Sequence, residues 1–158
     1  MKHFISRRNF LKAAGVTAAA SAMAAAVPQA SAGFLTGKDA AVTILYTNDV
    51  HTYIDNKSPK LTYAAIAAMK QGYVDEGKPV LLVDAGDHIQ GTAYGSMDDG
   101  ATIIELMNEA GYDIATLGNH EFDYGMARAK AIIKEADFPY VSCNWVDLRT
   151  GLRVLPAV

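Results

Sequence analysis

Apolar residues in this chain come in short blocks separated by stretches with helical spacing. The block at residues 41–47, AVTILYT, is rich in β-branched and aromatic side chains and predicts a buried strand ending near Thr47. Residues 58–72 predict a helix: Ser58 is placed to cap it, Pro59 suits its first position, and Gly72 marks its stop. Leu61, Ala65, Ala68 and Met69 give it an apolar face expected to meet the core. A second strand is predicted at 78–87, KPVLLVDAGD, and a helix at 100–111 ending at Gly111. A short third strand follows at 112–119, a helix at 125–136, and a fourth strand at 139–145, PYVSCNW. Strands alternating with helices predict an α/β fold of about four mainly parallel strands. Runs without polar alternation predict strands covered on both faces. Cys143, the only cysteine, falls in the fourth strand and is expected to be a buried, inert thiol with no internal disulfide.

The N-terminus has a different character. Residues 1–32 carry Lys2, Arg7, Arg8 and Lys12 with no acid, then an alanine-rich apolar stretch, then Ala-Ser-Ala at 30–32. This is the pattern of a secretory signal cleaved near Ala32, and the apolar part is short for a membrane span. SRRNFLK at 6–12 fits the twin-arginine address, with an ordinary secretion signal as the alternative. The expected organisation is a signal at 1–32, a linker at 33–40 and a domain from 41 to 158, exported to the periplasm or beyond with no stable membrane anchor. Without the signal's four basic residues, ten Lys and Arg face 17 Asp and Glu. That balance argues against a nucleic-acid polymer as partner.

Each of the first three predicted strands ends in a polar cluster. The first gives Asp49 and His51, the second Asp84, Asp87 and His88, the third Asn119, His120, Glu121 and Asp123. Sites in open α/β sheets form beyond the carboxyl ends of the strands, so these clusters are expected at one edge. Asp and His together suit Zn²⁺, Mn²⁺ or Fe. Asp87 follows a glycine that can turn its carboxylate into the crevice, where a carboxylate can bridge two cations. Asn119 offers a neutral oxygen, and His120 can contact a phosphate or protonate a leaving group while Asp123 holds its ring. Asp84 is expected to be structural, and Glu121 to face solvent or cap the next turn. Residues 90–96, QGTAYGS, read equally as a phosphate-cradling loop or a plain one. Trp145 and the tyrosines are expected to serve in packing.

TNDVH, DAGDHIQGT and GNHEFDYG together resemble the calcineurin-like metallophosphoesterases, and more narrowly the secreted 5′-nucleotidase and 2′,3′-cyclic-nucleotide phosphodiesterase family. The resemblance covers roughly residues 41–158. It implies the N-terminal half of a metallophosphoesterase-type β-sandwich flanked by helices. It implies two divalent cations, Zn or Mn, with Asp49 and His51 on the first, Asp87 bridging, and Asn119 on the second. His120 and Asp123 match the catalytic dyad, and Asn119 and His120 are implied to contact substrate. His88 departs from the family, which often has glutamine or a similar residue there, and is read as facing substrate, supporting the ligands, or simply a surface histidine. The implied substrates are nucleotides, cyclic nucleotides and nucleotide sugars. The family completes its site with later histidine-containing segments and a base-binding domain. This chain's histidines are His3, His51, His88 and His120. The chain is therefore expected to be an N-terminal fragment, inactive by itself. A related exported thiosulfohydrolase of sulfur oxidation and a catalytically silent metal-binding remnant are the alternatives.

Replacing Arg7 and Arg8 together with lysine is expected to leave the uncleaved precursor in the cytoplasm. Fractionation followed by immunoblotting checks this, and normal export of the double variant would refute the twin-arginine assignment.

Overall fold

Strand β1 (Thr43–Thr47) and strand β2 (Val80–Asp84) are built from the two longest β-branched and aliphatic runs. They pair in parallel, from Thr43 opposite Val80 to Thr47 opposite Asp84. Strand β3 (Ile114–Ala115) joins β2 in parallel, with Val83 opposite Ile114 and Asp84 opposite Ala115. The sheet order is β1-β2-β3. In this computed structural model the described residues are 41–54 and 62–155; the signal, the linker, Ser58, Pro59 and Leu61 lie outside them. Among the described residues no helix is long and apolar enough to cross a membrane.

Among the described residues four α-helices connect and follow the strands: α1 (Tyr63–Asp75), α2 (Ala93–Ser96), α3 (Ala101–Ala110) and α4 (Met126–Glu135). Strands added in one direction by right-handed crossovers put their connecting helices on one face. Burial agrees. Leu82 is fully buried and Leu45 packs on the core, while Ile44, Tyr46 and Leu81 point the other way and are exposed. In α3 the buried residues are Ile103, Ile104, Met107 and Ala110, the spacing of one helical face. Each such Ile or Met contributes roughly 1.5–3 kcal/mol when withdrawn from water. Tyr63 and Ile66 of α1, Ile132 of α4, Tyr112, Phe138 and Tyr140 complete the core.

One polar device ties α1, α3 and the sheet together. Gly111, in the left-handed conformation, ends α3 by returning its amide to Met107 and Asn108. Lys70 of α1 donates to the Gly111 carbonyl and to Asp113 Oδ2, the latter at 2.7 Å. The same Asp113 oxygen accepts the Leu82 amide at 2.8 Å. A cation thus satisfies the C-terminal carbonyl of one helix while its counter-ion satisfies the backbone of the central strand.

Several sequence expectations change. Helix α1 is capped by Thr62, whose hydroxyl accepts the Ala65 amide, and it runs past Gly72 to Asp75. Gly72 sits in open space, so it is tolerated inside the helix, and Gly77 in the left-handed region follows the helix end. Its core face is Tyr63 and Ile66, not Ala68 and Met69, which are exposed. Many small alanines left the helical periodicity ambiguous. The fourth strand is reduced to one parallel bridge between Ala115 and Tyr140, after which Ser142 caps a turn through the Trp145 amide. Cys143 lies in that turn and is exposed, contrary to the buried thiol expected. The strands are covered by described residues on one face only, because every crossover lies on that face.

Replacing Asp113 with alanine is expected to cost about 2 kcal/mol, since it leaves the Leu82 amide without its acceptor and the Lys70 ammonium without its counter-ion. Urea unfolding of the variant checks this; a change under about 0.5 kcal/mol would show that water substitutes fully.

Candidate metal centre

The parallel register brings Thr47, Asp84 and Ala115 to one edge, so the three following loops rise side by side. The first loop does not continue as a strand. Asp49, His51 and Thr52 all adopt positive φ, at 53°, 47° and 58°. Such conformations are uncommon for residues with side chains and persist only where the surroundings enforce them. Here the enforcing bonds come from the second loop. The Asp49 amide donates to Gly86 O at 3.1 Å and the His51 amide to Asp87 O at 3.0 Å. Thr52 is buried and accepts the Thr92 amide at 2.6 Å.

His51 has a defined role for each ring nitrogen. Nδ1 lies 2.9 Å from the Gln90 carbonyl, which can only accept, so Nδ1 carries the proton. Nε2 therefore presents its lone pair, and it lies 3.6 Å from Asp49 Oδ1. Gly91 makes this possible, because a Cβ there would overlap the His51 carbonyl. The Gly91 and Gly95 positions of QGTAYGS are thus occupied by close backbone approach, to His51 and Ile89 respectively.

Asp87 also has positive φ, 58°. Its Oδ1 accepts the His120 amide at 2.8 Å. Gly86 and Gly118 let the second and third loops touch: a Cβ on Gly86 would overlap the Gly118 amide, and one on Gly118 would overlap the Asp87 carboxylate. His120 opens a 3₁₀ turn, His120–Phe122, and its Nδ1 lies 2.7 Å from Asp123 Oδ2. That hydrogen bond is the main reason the His120 pKa is raised; desolvation opposes it, and the Asp123, Asp87 and Glu121 charges add to it. The His51 and His120 rings meet edge to face at 4.9 Å.

Ligand atoms of His51, Asp87 and His120 lie within 4.8 Å of one another. Two imidazole nitrogens and a carboxylate oxygen, each aimed by a partner on its far side, form a donor set that suits a divalent cation. Asp49 stands beside His51 at the solvent side and is exposed. Asn119 is exposed as well, at the start of the 3₁₀ turn, on the rim of a cleft of about 350 Å³ that reaches Trp145. His120, singled out in the sequence for catalysis, therefore sits in the same cluster as two of the residues singled out as ligands.

Beneath this cluster lies a second one that the sequence did not reveal. His88 is fully buried, with Nδ1 2.8 Å from Asp84 Oδ1 and Nε2 2.8 Å from the Tyr140 hydroxyl. Both ring nitrogens are engaged inside the protein, so His88 neither faces substrate nor lies at the surface, and of the roles expected only that of supporting the site from beneath is compatible with this placement. Burial opposes charge on this imidazole, but Asp84 and Glu121 outweigh it and raise its pKa. Asp84 is also held by Thr47 Oγ1 at 2.5 Å and the Gly86 amide at 2.8 Å, so its structural role is visible. Burial, reinforced by the Glu121 and Asp84 charges, pushes the Tyr140 hydroxyl pKa far up. Glu121 is fully buried too, not solvent-facing, and accepts backbone amides of Asp87, His88 and Gly118 at 2.8, 2.8 and 2.7 Å. The spacing of Asp84 and His88 was a signal for a pair; nothing in the local pattern around Glu121 marked it as buried.

The calcineurin-like phosphoesterase family matches residues 42–156, and the twin-arginine translocation signal sequence matches residues 5–27. The protein is thus addressed for export to the periplasm or extracellular space. A snake venom 5′-nucleotidase from Gloydius brevicauda is 40% identical over 114 residues, covering 65% of this chain and 19% of the relative. The chain therefore spans about a fifth of the length of the curated 5′-nucleotidases it matches. The crystal structure of the calcineurin-like phosphoesterase YfkN from Bacillus subtilis superposes with a TM-score of 0.60 at 35% identity, over 72% of this chain and 40% of that one. A sulfate thiohydrolase, SoxB, from Thermus thermophilus has a TM-score of 0.62 at 17% identity, covering 73% and 32%, and so shares the fold alone. Family match, fold and strand-end donor cluster agree: this chain belongs to the calcineurin-like phosphoesterases.

Proposed function

We propose that the chain carries the cation-binding part of an exported phosphoric ester hydrolase of the 5′-nucleotidase type, acting on nucleotides or related small phosphate esters. The observation that carries this reading is the convergence of His51, Asp87 and His120 at the ends of three parallel strands, within 4.8 Å. Asp49, His51 and Asp87 would hold one divalent cation, and Asp87 with Asn119 would contribute to a second; Zn²⁺ and Mn²⁺ suit these donors. Such cations, when bound, drain charge from phosphoryl oxygens and lower the pKa of water.

The chain's own residues supply orientation and a proton. Asp123 fixes the His120 ring through Nδ1, which leaves Nε2 to meet the departing oxygen. The Asp123 hydrogen bond, which raises the His120 pKa in the metal-free chain, also places Nε2 to donate a proton as negative charge develops on the leaving group. Asn119, on the cleft rim, is assigned to contact the substrate phosphate alongside His120. The 5′-nucleotidase relatives at 36–40% identity support a nucleotide substrate over the thiosulfohydrolase reading, which rests on fold likeness alone. Release of phosphate from nucleoside monophosphates, measured beside sulfate release from thiosulfonate substrates, separates the two.

In the protein that carries this chain, Asp87→Ala is expected to lose most bound metal and nearly all turnover. His120 lies within reach of the same cluster, but it is assigned to the leaving group and not to a cation, so His120→Ala is expected to keep metal and lose about a hundredfold or more in kcat, the usual cost of one transition-state donor. Metal analysis with steady-state kinetics checks both; a His120→Ala variant stripped of metal beside a loaded Asp87→Ala would reverse the roles.

The dyad has a separate test in metal-free protein. The His120 pKa is raised in the fold, so the Asp123–His120 attraction is present below the ordinary value of about 6.5 and is lost as pH rises through the raised value. Asp123→Asn removes the main cause and is expected to bring the His120 titration, followed by NMR, back down toward the ordinary value. An unchanged titration would mean that Asp123 does not hold the ring.

A further inference from the structure

We propose that Glu121 is the positioning residue of the cation site, a buried clamp that sets where the Asp87 carboxylate stands. The inference rests on the phosphoesterase reading for its kinetic consequence only. Glu121 is fully buried, yet its bonds to Asp87, His88, Ile89 and Gly118 are all to backbone amides. Oε2 takes the amides of Asp87 and Gly118, one from each of two loops, while Oε1 takes His88 at 2.8 Å and Ile89 at 3.3 Å. A buried carboxylate is costly unless its oxygens are fully bonded, and here the bonds come from the loops that carry the site.

The consequence runs through Asp87. Its left-handed backbone turns its amide inward, where Glu121 receives it. Its carbonyl holds the His51 amide and its Oδ1 holds the His120 amide. Shifting the Asp87 backbone therefore moves all three members of the donor cluster relative to one another. Gly118, pressed against the Asp87 carboxylate, is held from its amide side by the same Glu121 oxygen. Glu121 touches none of the reacting positions and acts through Asp87 and Gly118.

Glu121→Gln keeps the shape but must turn an NH₂ group toward amides on one side, donor against donor. Glu121→Asp keeps the charge but is one methylene short of spanning both loops. Tyr140→Phe is the control: it lies in the same buried network and removes only the partner of His88 Nε2. Hydrogen exchange in metal-free protein is expected to show the Asp87 and Gly118 amides losing protection in Glu121→Gln. Mn²⁺ affinity, read by electron paramagnetic resonance, is expected to weaken about tenfold or more, as for other residues that orient ligands. In the full protein, kcat is expected to fall about a hundredfold with KM little changed, because misplacement by a fraction of an ångström is enough. Tyr140→Phe is expected to lower Tm and leave the Mn²⁺ spectrum and affinity as in wild type.

A folded Glu121→Gln with wild-type Mn²⁺ affinity, spectrum and amide protection would overturn the proposal. Equal weakening of Mn²⁺ binding by Tyr140→Phe would overturn it too, since that is general destabilisation. If Glu121→Gln does not fold, Glu121→Asp is read by the same measurements; failure of both to fold makes Glu121 purely structural and rejects the positioning role. If the wild-type protein hydrolyses no phosphate ester, the functional reading fails, while exchange and Mn²⁺ binding still decide the role of Glu121.

Discussion

The site depends on one residue bonded in three directions. The Asp87 amide donates to Glu121, its carbonyl accepts from His51, and its carboxylate accepts from His120. Those three partners belong to two other segments of chain, so a single backbone position fixes the relative placement of loops that lie far apart in sequence. The cost is a left-handed conformation at a residue with a side chain, and the loop above repeats that cost at Asp49, His51 and Thr52. Strain of this kind is maintained only by a rigid base, which the parallel register of β1, β2 and β3 supplies.

That base is not a purely apolar core. Directly under the loops, Thr47, Asp84, His88, Tyr140 and Glu121 form a connected polar network in which most members are fully or nearly fully buried. Such a network is favourable only when its members are satisfied, and then it specifies one arrangement more sharply than packed aliphatic side chains do. The aliphatic core, centred on Leu82, Ile103, Ile104, Met107 and Ile132, lies further from the edge and supplies stability. The two layers divide the work: apolar packing holds the sheet to its helices, and the polar layer holds the loops to the sheet.

The sequence made the coarse part of this legible because hydrophobic blocks and strand-end clusters are local patterns. Both long strands, helices α1, α3 and α4 and the mainly parallel pairing were readable, as was the convergence of the three polar clusters, whereas the short helix α2 lies in the stretch at 90–96 that the sequence presented as a loop. The resemblance carried the family, and the structure brought His51, Asp87 and His120 together. What escaped was set by contacts between distant segments. Glu121 looks like a surface residue in a polar turn, and only the amides of Asp87, His88, Ile89 and Gly118 explain its burial. His88 looks like a site histidine by its neighbours, and only Tyr140, fifty-two residues on, shows where its ring goes. Helix α1 failed for a different reason: alanines carry too little hydrophobic contrast to define a face.

Ile44, Tyr46 and Leu81 bear on the site through what they do not touch. They form an apolar face on the side of the sheet away from the helices, and among the described residues nothing covers it. Parallel sheets are normally covered on both faces, so this surface bears on stability and solubility. It has little bearing on the geometry of the donor cluster. Every bond that orients His51, Asp87 and His120 comes from Gln90, Glu121, Asp123 or the cluster itself, all on the loops at the strand ends. The alternation of β1 and β2 sends Leu45, Thr47, Leu82 and Asp84 to the helical side, so the polar layer under the loops is continuous with the covered face. The orientation of the donor cluster is therefore built from the half of the sheet that this chain covers for itself.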